Sequence, residues 1–347
     1  LYFHDNAPSS HCNSYSAATG ECTGEASHGV FVMDCVDCVV TGNKVESFGD
    51  EGIRHYGAGG IVSKNTIRDT PSIRGSEGAA IEVDGTDILV EGNVIYDIDD
   101  DPLDDAGACT TDCQNSGIGI HVSTANAQAI SRITVKGNVL YDIDSIIAIA
   151  VNTPGAAASH ITVEGNSVEM LSTDTIGCVE APAPPTTNAR CAVSILGGSG
   201  NPTRSMILVQ GNTANTGMVS TNVDNVGGVS FRNNELFGGV GRGILAAGNP
   251  LTISDNSIQS FTQSGIMVSG LEDDDRTRSV VVSGNSLIGN NDDGTAEEGI
   301  LFYDPDTTPA TANCGTDTIV QGGVLVDGNI VRGSATASSL SFVIRMD

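Results

Sequence analysis

Basic residues are scarce in this sequence of 347 residues, which has 15 lysines and arginines against 43 aspartates and glutamates. The resulting net charge of −28 repels a phosphate backbone, so we expect no nucleic-acid partner. Hydrophobic residues make up 39% of the chain and charged residues only 17%, which excludes a disordered polyelectrolyte. No apolar run approaches the roughly 18 residues that a spanning helix needs, so we expect no membrane insertion. Tryptophan is absent and aromatic residues reach 4%, which weighs against a surface that holds sugars chiefly by ring stacking.

One short phrase recurs along the sequence. It reads ILVEGNVIYDID from Ile88, ITVKGNVLYDID from Ile133 and ITVEGNSVEMLS from Ile161. The shortest step between successive copies, 22 residues, occurs three times, and every longer step contains a polar insertion. A fixed period of this kind indicates a solenoid, whose units bury their apolar faces only against one another. The aligned asparagines of the phrase are Asn43, Asn65, Asn93, Asn138, Asn166, Asn212, Asn234, Asn256, Asn285 and Asn329.

Each copy of the phrase has the periodicity of a β-strand, because β-branched residues such as Ile133 and Val135 alternate with polar ones. The Gly–Asn pair predicts a sharp bend, since both residues tolerate the left-handed backbone region. A second alternating phrase precedes the next copy, as in GIGIHVS at 117–123 and SGIMVSG at 264–270. We therefore expect stacked parallel strands, with bend asparagines that hydrogen-bond one another along the axis.

These phrases, [IV]xVxGNx[IV] and GIxV, resemble those of the right-handed parallel β-helix proteins of the pectate-lyase-like superfamily. The resemblance runs from about Gly29 to the end of the chain. It implies an all-β fold, a single-stranded right-handed parallel β-helix solenoid of about 10 to 11 coils with disulfide-stapled loop insertions. Residues 1–28 are then an N-terminal cap or loop segment, and residues 29–347 the β-helix domain. No specific enzyme is implied, because the catalytic motifs of polygalacturonases, mannuronan epimerases and pectate lyases are missing.

Nine cysteines indicate an oxidising compartment, and hence an extracellular or cell-surface protein. Three pairs bracket short loops that otherwise lack packing, where a disulfide would stabilise the fold. These expected disulfides are Cys12–Cys22, Cys109–Cys113 and Cys178–Cys191. Cys35 and Cys38 in CVDC could form a zinc or redox pair, but no second CxxC or histidine pair accompanies them, which favours a structural role. Cys314 is then left free, or pairs outside the chain.

The two ends of the chain differ in character. The sequence begins at Leu1 and no secretory signal precedes it, so we expect a mature or trimmed product. It finishes in the apolar strand SLSFVIRMD without a polar cap, which leaves an exposed sheet edge. We expect either a truncated chain or end-to-end stacking of the C-terminal coil on another domain or subunit.

One stripe of outward side chains concentrates reactive groups. In GIGIHVS, alternation predicts that the isoleucines and the valine point inward and that Gly119, His121 and Ser123 point outward. Setting GAAIEVD and GIRHYG in the same register brings Glu82 and Tyr56 beside His121. The sequence therefore predicts a Tyr56–Glu82–His121 row on three successive coils. The inward His55 is expected to be buried and hydrogen-bonded.

Such a row could supply an acid, a base and a positive charge for hydrolysis or β-elimination at a sugar ring. Outward polar residues are equally typical of the solvated face of any soluble solenoid. The candidate catalytic residues are Tyr56, Glu82 and His121, and the candidate substrate-binding residues are Arg54, Asp84 and Ser123.

The loop after the third coil, YDIDDDPLDDAGACTTDC, is dense in carboxylates. Carboxylates at this density can hold a hard cation such as calcium, although a hydrated acidic loop would have the same composition. The expected calcium ligands are Asp99, Asp101, Asp104 and Asp105.

Two interpretations of function follow. The first is a secreted or surface carbohydrate-active protein, a polysaccharide lyase or glycoside hydrolase that acts on a glycan at the outward strand face. The second is a non-catalytic extracellular structural, adhesive or filament module. The uncapped C-terminal strand, the spare Cys314 and the unreactive later coils favour the second interpretation.

Overall fold

The computed structural model describes residues 2–3, 15–16, 21–22, 29–46, 48, 51–70, 79–99, 118–123, 130–144, 147–153, 158–171, 191–197, 206–221, 228–239, 241–248, 250–269, 279–290, 299–302, 323–333 and 344–346. Every helix or strand assigned within these residues is a β-strand. Ten coils are described by three strands each, and β34 (Ile344–Met346) is the first strand of an eleventh. Hydrogen bonds join the parallel strands into a 21-stranded and an 11-stranded sheet, and we describe the larger one as sheets 1 and 2 and the smaller one as sheet 3. This confirms the predicted parallel β-helix.

Sheet 1 holds the first strand of every coil. Its members are β4 (Val30–Val36), β7 (Ile53–Ala58), β10 (Ala79–Thr86), β13 (Ile118–Val122), β16 (Ile147–Thr153), β19 (Cys191–Gly197), β22 (Met218–Thr221), β25 (Ile244–Ala246), β28 (Ile266–Val268), β31 (Ile300–Phe302) and β34 (Ile344–Met346).

Sheet 2 holds the second strand of every coil. Its members are β5 (Val39–Thr41), β8 (Ile61–Ser63), β11 (Leu89–Glu91), β14 (Ile130–Lys136), β17 (Ala158–Glu164), β20 (Met206–Gln210), β23 (Gly228–Arg232), β26 (Leu251–Ser254), β29 (Val280–Ser283) and β32 (Val324–Asp327). The long strand β10 also reaches β14, through Thr86 and Ser131, so sheets 1 and 2 are continuous there.

Sheet 3 holds the third strand of every coil, and β1 is added at its beginning through pairing with β6. Its members are β1 (Tyr2–Phe3), β6 (Lys44–Glu46), β9 (Thr66–Thr70), β12 (Val94–Asp99), β15 (Val139–Asp144), β18 (Ser167–Met170), β21 (Thr213–Ala214), β24 (Glu235–Phe237), β27 (Ser257–Gln259), β30 (Ser286–Asn290) and β33 (Ile330–Gly333). The remaining strands, β2 (Tyr15–Ser16) and β3 (Glu21–Cys22), form an antiparallel pair.

The core runs along the inside of the three sheets. Alternation places Ile133, Val135 and Leu140 there, each no more than 1% exposed, as the recurring phrase predicts. Stacking each coil on the next buries these side chains, which a single coil could not do.

A column of asparagines occupies the bend between sheets 2 and 3. In each link, the backbone N–H and the side-chain Nδ2 of one asparagine both donate to Oδ1 of the asparagine one coil further on. For Asn93 and Asn138 these distances are 3.0 Å and 2.9 Å. Nδ2 of Asn138 also donates to the carbonyl of Val90 at 3.1 Å. The column connects all ten aligned asparagines, from Asn43 to Asn329, which confirms the predicted hydrogen bonding along the axis.

The residue before each asparagine has a left-handed backbone. Seven coils have glycine there, with φ between 60° and 68°. Lys64, Asn233 and Asp255 hold the same conformation in the other three coils, at 54°, 53° and 59°. A Cβ on Gly92 or Gly137 would contact nothing within 4 Å, so the backbone conformation, and not space, favours glycine at this bend.

Small residues form the corner at which the chain enters sheet 1. A Cβ on Gly52 would lie 2.7 Å from Phe48, and one on Gly119 would lie 2.6 Å from Leu140, so both glycines face the interior. The prediction that Gly119 points outward is therefore wrong. Ile118, predicted to join the main core, belongs instead to a separate buried cluster with Ala79, Ile147 and Ala150.

Two of the predicted cysteine roles fall on residues with described side chains. Cys35 and Cys38 form a disulfide, with their Cα atoms 5.9 Å apart, in agreement with a structural role. Cys191 is also disulfide-bonded, and its partner is not among the cysteines whose side chains are described. The pairings Cys12–Cys22, Cys109–Cys113 and Cys178–Cys191 stay predictions, because Cys12, Cys109, Cys113 and Cys178 lie outside the described residues. Cys314 also lies outside them.

The division at residue 28 and the stacking of the C-terminal coil also stay predictions. No helix among the described residues is long and apolar enough to cross a membrane.

Candidate functional site

The outward row of sheet 1 brings reactive side chains together on neighbouring coils. Strand pairing sets Arg54 beside Glu82, and Glu82 beside His121. Tyr56 pairs with Asp84, so the prediction that it shares a row with Glu82 and His121 is wrong by two residues. Tyr56 still reaches the same place diagonally, because its hydroxyl donates to Oε1 of Glu82 at 3.5 Å.

The two-residue error has a physical cause. GIRHYG and GIGIHVS both begin with Gly–Ile, but Ile53 lies level with Ile120 through Ile81, so Gly52 aligns with Gly119 and not with Gly117. A slip of two residues leaves the inward and outward faces of a strand unchanged, so alternation cannot detect it. The requirement for a small residue at the corner decides the register.

Seven residues make up what we call the sheet 1 cluster: Glu51, Arg54, Tyr56, Glu82, Asp84, His121 and Asn152. Nη1 of Arg54 lies 3.1 Å from Oε1 of Glu51, and its Nε lies 3.6 Å from Oε2 of Glu82. The guanidinium carbon also lies 4.5 Å from the centroid of the Tyr56 ring, a cation–π contact. Arg54 thus links two carboxylates and an aromatic ring.

The carboxylates of the cluster are deeply buried. Glu82 is 0% exposed, Glu51 1% and Asp84 4%, whereas the side chain of Arg54 is 21% exposed. Burial of ionisable groups is costly unless charge and hydrogen bonds compensate it, which is the physical reason for Arg54 at this point of the row. Ser123, which follows the Val122–Val83 pair, lies next to Asp84 in the same pairing and is 4% exposed.

His121 is held inside the cluster in a neutral form. It is 2% exposed, and its Nε2 lies 3.0 Å from Nδ2 of Asn152 on the following coil. Burial, and to a smaller extent the nearby positive charge of Arg54, lower the pKa of His121 from 6.5 to about 4. At neutral pH this imidazole is therefore uncharged.

His55 lies on the inward side of the same strand as Arg54. It is fully buried, as predicted, and burial lowers its pKa. A hydrogen bond to its own backbone opposes this shift, and its ring nitrogens have no other hydrogen-bond partner in the described part of the chain. A Cβ on Gly60 would lie 2.3 Å from its ring, so glycine there gives the imidazole room.

The outward row changes character along the axis. After His121 it continues through Ala150, Ser194 and Val219, and then through Leu245 and Met267. The later side chains form a buried apolar cluster on the outer face. Reactive groups in this row are therefore concentrated on coils 2 to 4, as the sequence predicts.

An aromatic surface adjoins the cluster on the first coil. Phe31 pairs with Arg54 in register and is 45% exposed. Its ring packs edge-on against Tyr56, with centroids 5.9 Å apart, and lies 5.8 Å from the guanidinium carbon of Arg54. Phe31, Arg54 and Tyr56 thus form the exposed edge of an otherwise buried group.

A second outward row lies on sheet 3. The rings of Tyr96 and Tyr141 are parallel, with centroids 4.9 Å apart, and Arg68 lies over Tyr96 at 5.9 Å. Arg68 also pairs with Glu46. Because the facing surfaces of the two tyrosine rings cover each other, this row stabilises coil stacking.

The described residues do not form a metal site. Among them, no group of three or more histidine, cysteine, aspartate or glutamate side chains could hold a metal ion. Asp99 ends strand β12 beside Asp144, while Asp101, Asp104 and Asp105 lie outside the described residues. The calcium site stays a prediction.

Three contributors to the site were missed in the sequence: Glu51, Asn152 and Phe31. Asn152 occupies the outward position of IAIAVNT two residues after Ala150, so following the stripe one coil further would have found it. Glu51 precedes the strand and Phe31 lies in an apolar stretch, and alternation alone does not single out either of them.

Residues 10–183, half of the chain, match the family model described as a right-handed beta helix region. The protein belongs to the right-handed β-helix family.

The sequence matches no curated protein. Two solved structures are similar in part. One is the enzymatically active domain of tailspike protein 2 of bacteriophage CBA120, with 12% identity and a TM-score of 0.40 over 87% of this chain. The chain spans 41% of that domain's length. The other is the A-module of the mannuronan C-5 epimerase AlgE4 of Azotobacter vinelandii, with 11% identity and a TM-score of 0.34 over 98% of this chain and 94% of that one. Likenesses this distant carry no information about the activity of this protein.

Proposed function

We propose that this protein is an extracellular or cell-surface carbohydrate-active β-helix protein that cleaves a glycan at the sheet 1 cluster. The observation that carries this proposal is the convergence of Arg54, Glu82 and His121 from three successive coils. An acid, a base and a positive charge within reach of one another are what cleavage of a glycosidic bond requires.

Hydrolysis fits the cluster better than β-elimination does. Glu82 and Asp84 are two residues apart on one strand face, so the strand rise separates their Cα atoms by roughly 6.6 Å. Glycoside hydrolases use a pair of carboxyl groups, one as the acid and the other as the base or nucleophile. Elimination from a uronate would need a cation for the substrate carboxylate, and Arg54 is already engaged by Glu51 and Glu82.

The exposed edge of the cluster supplies a surface for substrate. Phe31 offers an apolar ring, and the polar edges of Arg54 and Tyr56 lie beside it: the guanidinium has more N–H groups than its two carboxylate partners use, and the Tyr56 hydroxyl oxygen can accept. Sugar rings combine apolar C–H faces with hydroxyl groups, so this combination suits them. Asp84 and Ser123 would add polar contacts further in.

The location rests on cysteine chemistry. Cys35 and Cys38 are joined to each other, and Cys191 is disulfide-bonded. Disulfides persist in oxidising environments, which supports an extracellular or surface protein.

A second candidate function is a non-catalytic structural or adhesive module. Burial favours it, because Glu82 and His121 are at most 2% exposed. In that case the cluster only stabilises the coils.

A polysaccharide panel separates the two functions. Neutral and uronate polymers are incubated with the protein, with and without calcium, and reducing ends and the absorbance of unsaturated sugars are followed. We expect new reducing ends without unsaturated products. Glu82→Gln should lower kcat/KM by about 10²-fold or more, because it removes a general acid–base group.

The control is Glu235→Gln, which makes the same change at an exposed position of sheet 3. It should leave activity unchanged, and circular dichroism should show that both variants keep the β-sheet spectrum of the wild type. A wild type that cleaves no polymer would favour the structural module, whereas a fully active Glu82→Gln variant would refute cleavage at the sheet 1 cluster.

A further inference from the structure

The contact between Asn152 and His121 joins two coils inside the sheet 1 cluster. Nδ2 of Asn152 lies 3.0 Å from Nε2 of His121. An amide NH2 group can only donate, and an imidazole nitrogen accepts only when it carries no proton. With the Asn152 amide oriented so that Nδ2 faces the ring, the neutral imidazole carries its proton on Nδ1.

Burial makes this choice of tautomer consequential. His121 is 2% exposed, and its Nδ1 has no hydrogen-bond partner in the described part of the chain. The strand neighbours of His121 are Glu82 on one side and Ala150 on the other. Nδ1–H is therefore a preformed donor within a cluster that also contains Arg54 and three carboxylates.

We propose that Asn152 is a positioning residue that holds His121 as the neutral Nδ1–H tautomer, so that His121 serves the cluster as a hydrogen-bond donor and not as a base. Its one acceptor nitrogen is occupied by Asn152. If the cluster cleaves glycans as proposed above, the base is a carboxylate, Glu82 or Asp84, and His121 donates a hydrogen bond to a group that gains negative charge. The tautomer itself does not depend on that function.

The charges around His121 agree with this role. An imidazolium carries protons on both nitrogens and could not accept from Asn152, so the contact favours the neutral ring. Arg54 opposes protonation in the same way, and the lowered pKa of His121 agrees with both effects.

NMR of protein with 15N-labelled histidine tests the proposal without any substrate. Two-bond 1H–15N correlations at pH 7 should show His121 protonated at Nδ1. Asn152→Asp replaces the donor with an acceptor, so the proton should move to Nε2 and the pKa of His121 should rise by about 1 to 3 pH units. Asn152→Leu should give a mixture of tautomers. Asn233→Asp, which adds the same charge at an exposed bend on coil 7, should change neither property.

A wild-type ring protonated at Nε2, or present as an equal mixture, would overturn the proposal. So would an Asn152→Asp variant with unchanged tautomer and pKa. If that variant does not fold, the wild-type spectrum and Asn152→Leu still decide. A wild type that shows Nδ1–H but cleaves no glycan would refute the proposed function and leave the positioning role intact.

Discussion

Replacing Asn138 with alanine tests how much the asparagine column contributes to stability. Its side chain takes part in four hydrogen bonds: Nδ2 donates to Asn166 at 2.9 Å and to Val90 at 3.1 Å, while Oδ1 accepts from the backbone and the side chain of Asn93 at 3.0 Å and 2.9 Å. The residue is 0% exposed, so water cannot replace these bonds in the variant. At about 1 kcal/mol net for each bond, Asn138→Ala should lower the free energy of unfolding by about 4 kcal/mol.

Asn43 at the start of the column offers a matched control. Its side chain donates one hydrogen bond, to Oδ1 of Asn65 at 3.0 Å, and it is only partly buried. The same substitution there should cost about 1 kcal/mol. The two variants remove the same atoms from the same kind of bend, so their difference of about 3 kcal/mol isolates the position in the column.

Urea unfolding followed by circular dichroism gives the two free energies. Hydrogen exchange checks that the loss is local, because amide protection should fall first in the coils next to Asn138. Equal destabilisation by the two variants, or less than about 1 kcal/mol for Asn138→Ala, would refute the reasoning that buried links in the column carry stability.

Two further predictions concern titration and backbone strain. The pKa of His121 falls from 6.5 to about 4 on folding, so between these pH values the unfolded chain binds a proton that the folded protein does not. The free energy of unfolding should therefore be unaffected by His121 above pH 6.5 and should fall by about 3 kcal/mol as the pH is lowered to 4. Unfolding free energies measured between pH 7 and 4 should fall more steeply for the wild type than for His121→Gln. His55, whose pKa is also lowered by burial, should leave some pH dependence in both proteins. Parallel curves for the two proteins would contradict the prediction. Lys64→Gly should raise the free energy of unfolding by about 0.5 to 1 kcal/mol, and with it the urea midpoint, because lysine is strained at φ 54° and glycine is not. Asn233→Gly should gain less, since asparagine tolerates this conformation, and a lower midpoint for Lys64→Gly would count against strain at the bend.

The architecture was predictable from the sequence because its determinants repeat. The asparagines reveal the bends, and the alternation around Ile133 and Val135 reveals the inward face. The site was less predictable, because it depends on register across coils of unequal length. Glu82 and His121 were placed correctly beside each other, since GAAIEVD and GIGIHVS align in the register that the structure shows, without a shift of two residues. Tyr56 was misplaced because a register shift of two residues leaves the inward face of the strand unchanged. The glycine required at the corner, Gly52, excludes that shift.

The burial of outward side chains was not predictable, for a different reason. Following the outward stripe to β16 places Asn152, but nothing in the period of the repeat shows that it contacts a buried histidine, and the burial of the outer face of sheet 1 is not encoded in the strands themselves. Interior packing follows from local pattern, whereas the environment of an outward residue depends on the rest of the chain.

The asparagine column makes the coils interchangeable in one respect. Every interior member presents the same two donors to its successor and the same acceptor oxygen to its predecessor, so Asn212 would meet Asn256 as well as it now meets Asn234. A β-helix joined in this way can gain or lose a whole turn without a mismatch at the seam. Molecular length can thus drift in evolution by complete turns, while the few coils that carry chemistry stay as they are.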